Sequence, residues 1–252
     1  MSDFMFTRNI RYSGNNITLP TSPTTANSYT SLLLNYNNAG IVDVSSRNVL
    51  ETVGGAGITT LTKKYGTGSM YFDGVDDNVV IPYDEKFSLG TTDFTVEGWF
   101  NFANINTNYR MLVLLGDGAN GGSVYHGWSL GYLGSEGSNQ IIFKRYDGTD
   151  YSYTTTGVTI SANTWYHIAV SRYNSVLKIF VDGVSYHSSN VTTSFNAVNT
   201  NPLRIGLGYL GPAAGYGGPR YWNGYIDDLR ITRGVARYTA NFTPPTGTFL
   251  VR

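Results

Sequence analysis

From residue 31 onward, apolar and polar residues alternate with a period of two, broken repeatedly by turn residues. The segment 93–102 is the clearest case. Phe94, Val96, Gly98 and Phe100 fall on one face, and Thr95, Glu97 and Trp99 on the other. That is the pattern of a β-strand, whose successive side chains point to opposite faces. The same period predicts strands over 31–36, 68–73, 78–82, 110–115, 126–133, 139–145, 165–172, 176–181, 184–187, 202–207 and 222–232. Asp-Gly recurs at 73–74, 117–118, 147–148 and 182–183, and it marks tight turns because glycine accepts positive φ. No amphipathic helix is evident. About a dozen short strands with such turns predict an antiparallel two-sheet sandwich. Residues 1–28 differ. They carry Gly14-Asn15-Asn16, Pro20 and Pro23 without a sustained period, and read as an extended arm with one short strand near 4–11. The expected organisation is an arm over 1–28 and a sandwich over 29–252.

Composition narrows the function. The 252 residues hold 17 Lys+Arg against 17 Asp+Glu, and charged residues make up 13%. A balanced chain lacks the basic surplus that nucleic-acid binding requires. With 41% hydrophobic residues and few charges, it is also not a disordered acidic chain. Cysteine is absent, so no disulfide framework or thiolate metal site is expected. No apolar run reaches the roughly 20 residues that span a bilayer, and residues 1–8 do not open a secretory signal.

Four segments, in order, carry a family likeness. Residues 69–77 (SMYFDGVDD) open it. Residues 94–100 (FTVEGWF) follow as a core strand. Residues 165–172 with 177–183 (WYHIAVSR, LKIFVDG) form a central hairpin, and residues 224–231 (GYIDDLRI) a last strand. Together they resemble laminin G-like, pentraxin-like domains of the concanavalin A-like lectin/glucanase superfamily. The resemblance implies an all-β, two-sheet jelly roll with one concave face. Residues 226–246, from IDDLRITRGVARY into TANFTPPT, are similar to the version carried by bacteriophage tail and capsid-surface proteins. That likeness implies a non-enzymatic surface protein of a virion, assembled in the host cytoplasm. Its partners would be other virion proteins, reached through residues 1–28, and host-surface glycans. Self-association is left open. No heptad run encodes a coiled-coil stalk. A cellular carbohydrate-binding module is the alternative, and a glycan-cleaving enzyme a more distant one.

Glucanases of this fold place two Glu and an Asp on one strand as Glu-x-Asp-x-x-Glu, so that all three share a face. Here the four glutamates are Glu51, Glu85, Glu97 and Glu136, and none has an Asp two residues later. No catalytic residues are therefore expected. For glycan binding, an aromatic platform with short polar groups is needed. Two segments qualify, 120–153 and 206–222, and the candidates are Trp128, Tyr132, Tyr146, Tyr209, Tyr216 and Trp222. Domains of this kind often hold a structural calcium. Asp227 shares the parity of Leu229 and Ile231, which should face the core, and an inward carboxylate needs a cation or a donor. Asp73 and Asp77 lie in a turn that could join it. Either the three ligate calcium, or Asp227 accepts backbone or Arg hydrogen bonds and Asp73 only makes its turn.

Overall fold

The computed structural model describes residues 48–105, 109–116, 126–134, 139–147, 150–196, 201–207 and 221–249, together with the strand backbones at 4–7 and 30–34. The chain divides into two compact units, Met1–Val42 and Asp43–Arg252. In the first, strand β1 (Phe4–Thr7) pairs antiparallel with β2 (Thr30–Leu34), Phe4 opposite Leu34. The strand expected over 31–36 thus falls in the N-terminal unit, paired with β1. A strand's period shows that it buries a face, not which partner it pairs with.

The second unit is the sandwich. Its first sheet contains β3 (Glu51–Val53), β6 (Asn78–Ile81), β8 (Tyr109–Gly116), β9 (His126–Leu133), β10 (Gln140–Asp147), β11 (Asp150–Thr154) and β15 (Leu203–Ile205), in the order β11-β10-β9-β8-β15-β6-β3. The second contains β4 (Gly57–Thr59), β5 (Ser69–Asp73), β7 (Phe94–Phe102), β12 (Trp165–Tyr173), β13 (Val176–Val181), β14 (Val184–Asn190) and β16 (Asn223–Arg233), in the order β14-β13-β12-β7-β16-β5-β4. All pairings are antiparallel. The all-β sandwich is the expected architecture. Among the described residues the helical content is one 3-10 turn, Glu85–Phe87, and no helix is long and apolar enough to cross a membrane.

The core lies between the sheets. Phe94 of β7 meets Phe143 of β10 at 5.9 Å between ring centroids, and Phe102 meets Tyr132 of β9 at 4.9 Å, edge to face. The turns follow the sequence signals. Asp182 and Gly183 adopt φ of 47° and 78°, and Asn174 and Ser175 adopt 46° and 67°, the paired positive φ of tight hairpins.

All nine residues of β7 are buried. Alternation alone would leave one of its faces open to solvent. The outer face is covered because residues 235–249, which follow β16, run across it as a strap. Thr95 Oγ1 donates to Val235 O (3.0 Å) and accepts from Arg237 N (2.9 Å). Phe242 N donates to Gly183 O (2.9 Å), and Phe249 N to Asp228 Oδ2 (3.0 Å). Gly183 is required here twice over. Its φ is +78°, and a Cβ would sit 1.8 Å from Phe242 O.

Candidate functional site

The outer face of the second sheet carries a sealed carboxylate and an open groove, and an acidic turn follows its strand β5 on the way to the first sheet.

Glu97 sits at the centre of the face and is fully buried. Its Oε1 accepts from Arg230 Nε (2.9 Å) and Nη2 (2.6 Å), and its Oε2 accepts from the Tyr238 hydroxyl (2.7 Å). His167 Nε2 lies 3.3 Å from Oε2, and Arg237 Nε 3.6 Å from Oε1. The rings of Trp99, Tyr238, Phe242 and Phe249 surround the His167 imidazole edge to face, with centroids 5.2–6.0 Å away. Burial alone would push the Glu97 carboxyl up. The hydrogen bonds from His167 and Tyr238 and the charge and hydrogen bonds of Arg230 outweigh it and hold the carboxyl below its ordinary value. Burial, reinforced by Glu97, raises the Tyr238 phenol, so that it stays a donor. A carboxylate so enclosed fastens the strap to the sheet, and no substrate atom can reach it.

Beyond the strap the same face opens. A groove of about 420 Å³ lies between the strap and the β12-β13-β14 hairpins. Tyr173, Val176, Lys178 and Ser188 form its floor, and Tyr238 and Thr239 form the wall. Register explains why these side chains gather. Tyr173 stands opposite Val176, Ser171 opposite Lys178, and Lys178 opposite Ser188, so all share the outer face. Tyr173 is 48% exposed and Val176 37%.

The acidic turn joins β5 to β6. One carboxylate oxygen from each of Asp73, Asp76 and Asp77 lies within 4.8 Å of the others. Asp77 is buried, accepting from Asp73 N at Oδ2 (2.7 Å) and from Gly55 N at Oδ1. Gly54, at φ +70°, packs against this turn where a Cβ would lie 2.5 Å from Asp76 Oδ1. Ionised carboxylates keep several lone pairs beyond those bonds, so three of them with nearby turn carbonyls fit the all-oxygen ligand set that calcium takes.

The structure brings Asp73 and Asp77 together but leaves Asp227 out, and adds Asp76. The reason is a β-bulge. Asp227 stands opposite Trp99, and the register then shifts so that Arg230 stands opposite Glu97 and Ile231 opposite Val96. Asp228, at φ 49°, absorbs the extra residue. Parity flips across the bulge, and Asp227 lies on the outer face, where its Oδ2 accepts from Lys64 N (2.8 Å) and Tyr65 N (3.0 Å). These backbone donors satisfy Asp227 Oδ2.

Four of the expected glycan-binding aromatics are buried. Trp128 is fully enclosed, and its Nε1 donates to Phe87 O (2.8 Å). Tyr132 is also enclosed, donating to Asn139 Oδ1 (2.6 Å), and burial pushes its phenol up to about 12. Tyr146 is buried with its hydroxyl 3.4 Å from Ser129 Oγ, and Trp222 packs edge to face on Phe102 at 4.8 Å. None presents a ring face to a ligand in solution. Large rings on alternating strands fill the layers, which outweighs any use as platforms. Tyr209 and Tyr216 lie outside the described residues. The groove residues are not among the expected candidates, although Tyr173 at the hairpin corner Tyr-Asn-Ser, beside Val176 and Lys178, is a usable signal.

A family model of the concanavalin A-like lectin/glucanases superfamily matches residues 72–236. The chain belongs to this superfamily. The matched span runs from the end of β5 to the start of the strap and includes Glu97, the groove strands and the bulge. Comparison with curated proteins finds no match. Among solved structures, the sandwich is similar to domain 4 of AbnA, a GH43 extracellular arabinanase from Geobacillus stearothermophilus, in complex with arabinotriose. The TM-score is 0.55 at 16% identity, covering 75% of this chain and 83% of that one. The botulinum neurotoxin serotype C1 binding domain scores 0.51 at 14% identity, covering 73% and 44%. The full-length tailspike protein 2 from the Escherichia coli O157:H7 bacteriophage CAB120 scores 0.50 at 12% identity, covering 79% of this chain and 27% of that one. At these identities the likeness is one of fold.

Proposed function

We propose that this lectin-like domain binds glycans without cleaving them, on the surface of a bacteriophage particle. The observation that carries the binding reading is the open groove beside the strap, which sets an exposed tyrosine among hydroxyl and ammonium groups. Two features support a non-catalytic role. The sequence lacks the paired glutamates of the glucanases, and the buried Glu97 is committed to Arg230 and Tyr238. A glycosidase needs two accessible carboxyl groups roughly 5–10 Å apart across a scissile bond. The virion reading rests on the likeness of residues 226–246 to phage surface proteins, and the tailspike is compatible with it in fold. Calcium would be held at the β5-β6 turn by Asp73, Asp76 and Asp77, where it would neutralise three neighbouring carboxylates and stiffen the turn. The N-terminal unit, including residues 1–28, would attach the sandwich to other virion proteins.

A glycan array probed in calcium and then in EGTA tests the binding. Binding to a small set of glycans is expected in calcium, with equal or weaker binding in EGTA. An array silent under both conditions removes the lectin role. The anchor is tested separately. Deleting residues 1–28 should leave a sandwich that still unfolds cooperatively but no longer co-sediments with particles. Co-sedimentation undiminished by the deletion would contradict the anchoring role.

A further inference from the structure

We propose that the groove beside the strap is a saccharide site selective for sugars bearing a carboxylate, with Tyr173 as the platform and Lys178 as the acid-recognising group. This rests on the glycan-binding reading above and names the site and ligand class within it. Three observations carry it.

The first is the platform. Tyr173 ends β12 at the mouth of the groove and is half exposed, and Val176 opposite it extends the apolar surface. Sugar rings present C–H faces that pack on such a surface, and a tyrosine offers a rigid ring at low entropic cost. The β12-β13 turn that carries it is pinned. Asn174 N donates to Asp93 Oδ1 (2.9 Å), and the buried Arg172 donates to Val191 O (3.0 Å), Thr92 O (2.8 Å) and Thr91 O. The platform is therefore held in place before a ligand arrives, which lowers the ordering cost of binding.

The second is the polar lining. Ser188 on the sheet and Thr239 on the strap supply hydroxyls, and Asn174 supplies an amide at the turn, while Ser171 is buried beneath them against Thr95. These are short groups of the kind that exchange hydrogen bonds with sugar hydroxyls. The groove, at about 420 Å³, is sized for a ligand of one or two rings.

The third is charge. Lys178 stands at the middle of the floor, and none of the residues lining the groove is acidic. Among the described residues Lys178 enters no ion pair. A neutral sugar would leave this ammonium without a counter-charge, whereas a uronic or sialic acid brings one to it. A hydrogen bond to a charged partner contributes more than a neutral one, so the site should separate acidic from neutral sugars.

The experiment uses the full chain, ¹⁵N-labelled, titrated with two matched pairs: cellobiose against cellobiuronic acid, and lactose against 3′-sialyllactose. The acidic member of at least one pair should bind about tenfold more tightly than its neutral partner, with shifts at Tyr173, Asn174, Lys178 and Ser188. Lys178→Gln should erase the acid preference, and Lys178→Arg should keep it. Tyr173→Ala should weaken both members of the pair. Both side chains are at least partly exposed, so thermal unfolding should be unchanged and serves as the control for folding. Equal affinity for acidic and neutral members overturns the ligand class. Shifts that map away from the groove overturn the site while leaving the lectin role intact. No binding to any of the four sugars, with other glycans bound on the array, overturns the inference alone. A silent array overturns the lectin role as well.

Discussion

Replacing Glu97 by Ala should destabilise the sandwich by about 3–5 kcal/mol, measured by urea denaturation. The size follows from what the carboxylate leaves behind. Arg230 would keep its charge beneath Phe249, whose ring lies 4.4 Å from the guanidinium carbon. The Tyr238 hydroxyl and the His167 imidazole would lose the acceptor they face in a buried site. Removing one partner from a buried ionic cluster costs more than the cluster itself contributed, because the remaining groups stay desolvated. Glu97→Gln should cost less, since its amide oxygen still accepts from Arg230 or Tyr238. A Glu97→Ala variant within about 1 kcal/mol of the parent would show that the cluster does not fasten the strap.

The same carboxyl sets part of the pH dependence. Its folded value is below the ordinary 4.5, so its contribution is complete above that pH and is lost as pH falls through the folded value. His187 acts in the same direction at higher pH. Burial depresses it below 6.5, against the opposing hydrogen bond to Thr154 O, so its contribution is lost as pH falls below about 6.5. Asp228 acts the other way. Burial raises it above 3.8, although Phe249 N holds it partly down, so its contribution is present in acid and is lost as pH rises through the folded value. Stability should therefore fall on acidification from pH 7 to 4, with a shallower slope below pH 4.5 in Glu97→Gln.

Truncation after Gly234 should have the largest effect. It removes Tyr238, Phe242 and Phe249 together. Tyr238 stacks on Phe242 at 3.6 Å with planes 7° apart, and Phe242 covers Phe180 at 5.3 Å. These three half-buried aromatic side chains contribute roughly 2–5 kcal/mol by burial, and losing Tyr238 and Arg237 from Glu97 adds to that, against about 5–15 kcal/mol for the whole stability of a typical domain. Losing them would also expose Trp99, His167 and Phe180 on the central strands. The truncated chain should bind ANS and lose its cooperative thermal transition, and the groove should vanish with its wall. A truncated chain that unfolds cooperatively near the parent's Tm would contradict the strap's structural role.

The sheets were legible because their signals are local. Period-two segments such as 94–102 and the Asp182-Gly183 turn specify strand and hairpin without reference to anything distant. Features set at longer range leave no local signal. Thr30–Leu34 reads as a strand, but its partner is Phe4–Thr7. Parity predicts Asp227 inward, but one bulge residue, Asp228, reverses parity in the middle of β16, and a single extra residue leaves no periodic trace. Trp128 and Tyr132 fit a platform by residue type, but their alternation with Ser129 and Gly131 in β9 is the pattern of core residues. The strap has no period at all, so neither its cover over Glu97 nor the groove it walls could be read from residues 235–249 alone. The three-residue strands Glu51–Val53 and Gly57–Thr59 are too short to show alternation.

A lectin-like role requires that the domain hold a sugar and leave it whole. The most direct measurement incubates the full chain with an oligosaccharide bound on the array, then weighs the recovered sugar by mass spectrometry. Saturable binding and complete recovery of the intact oligosaccharide after prolonged incubation are expected. Shorter fragments, or no oligosaccharide bound at all, would contradict that role.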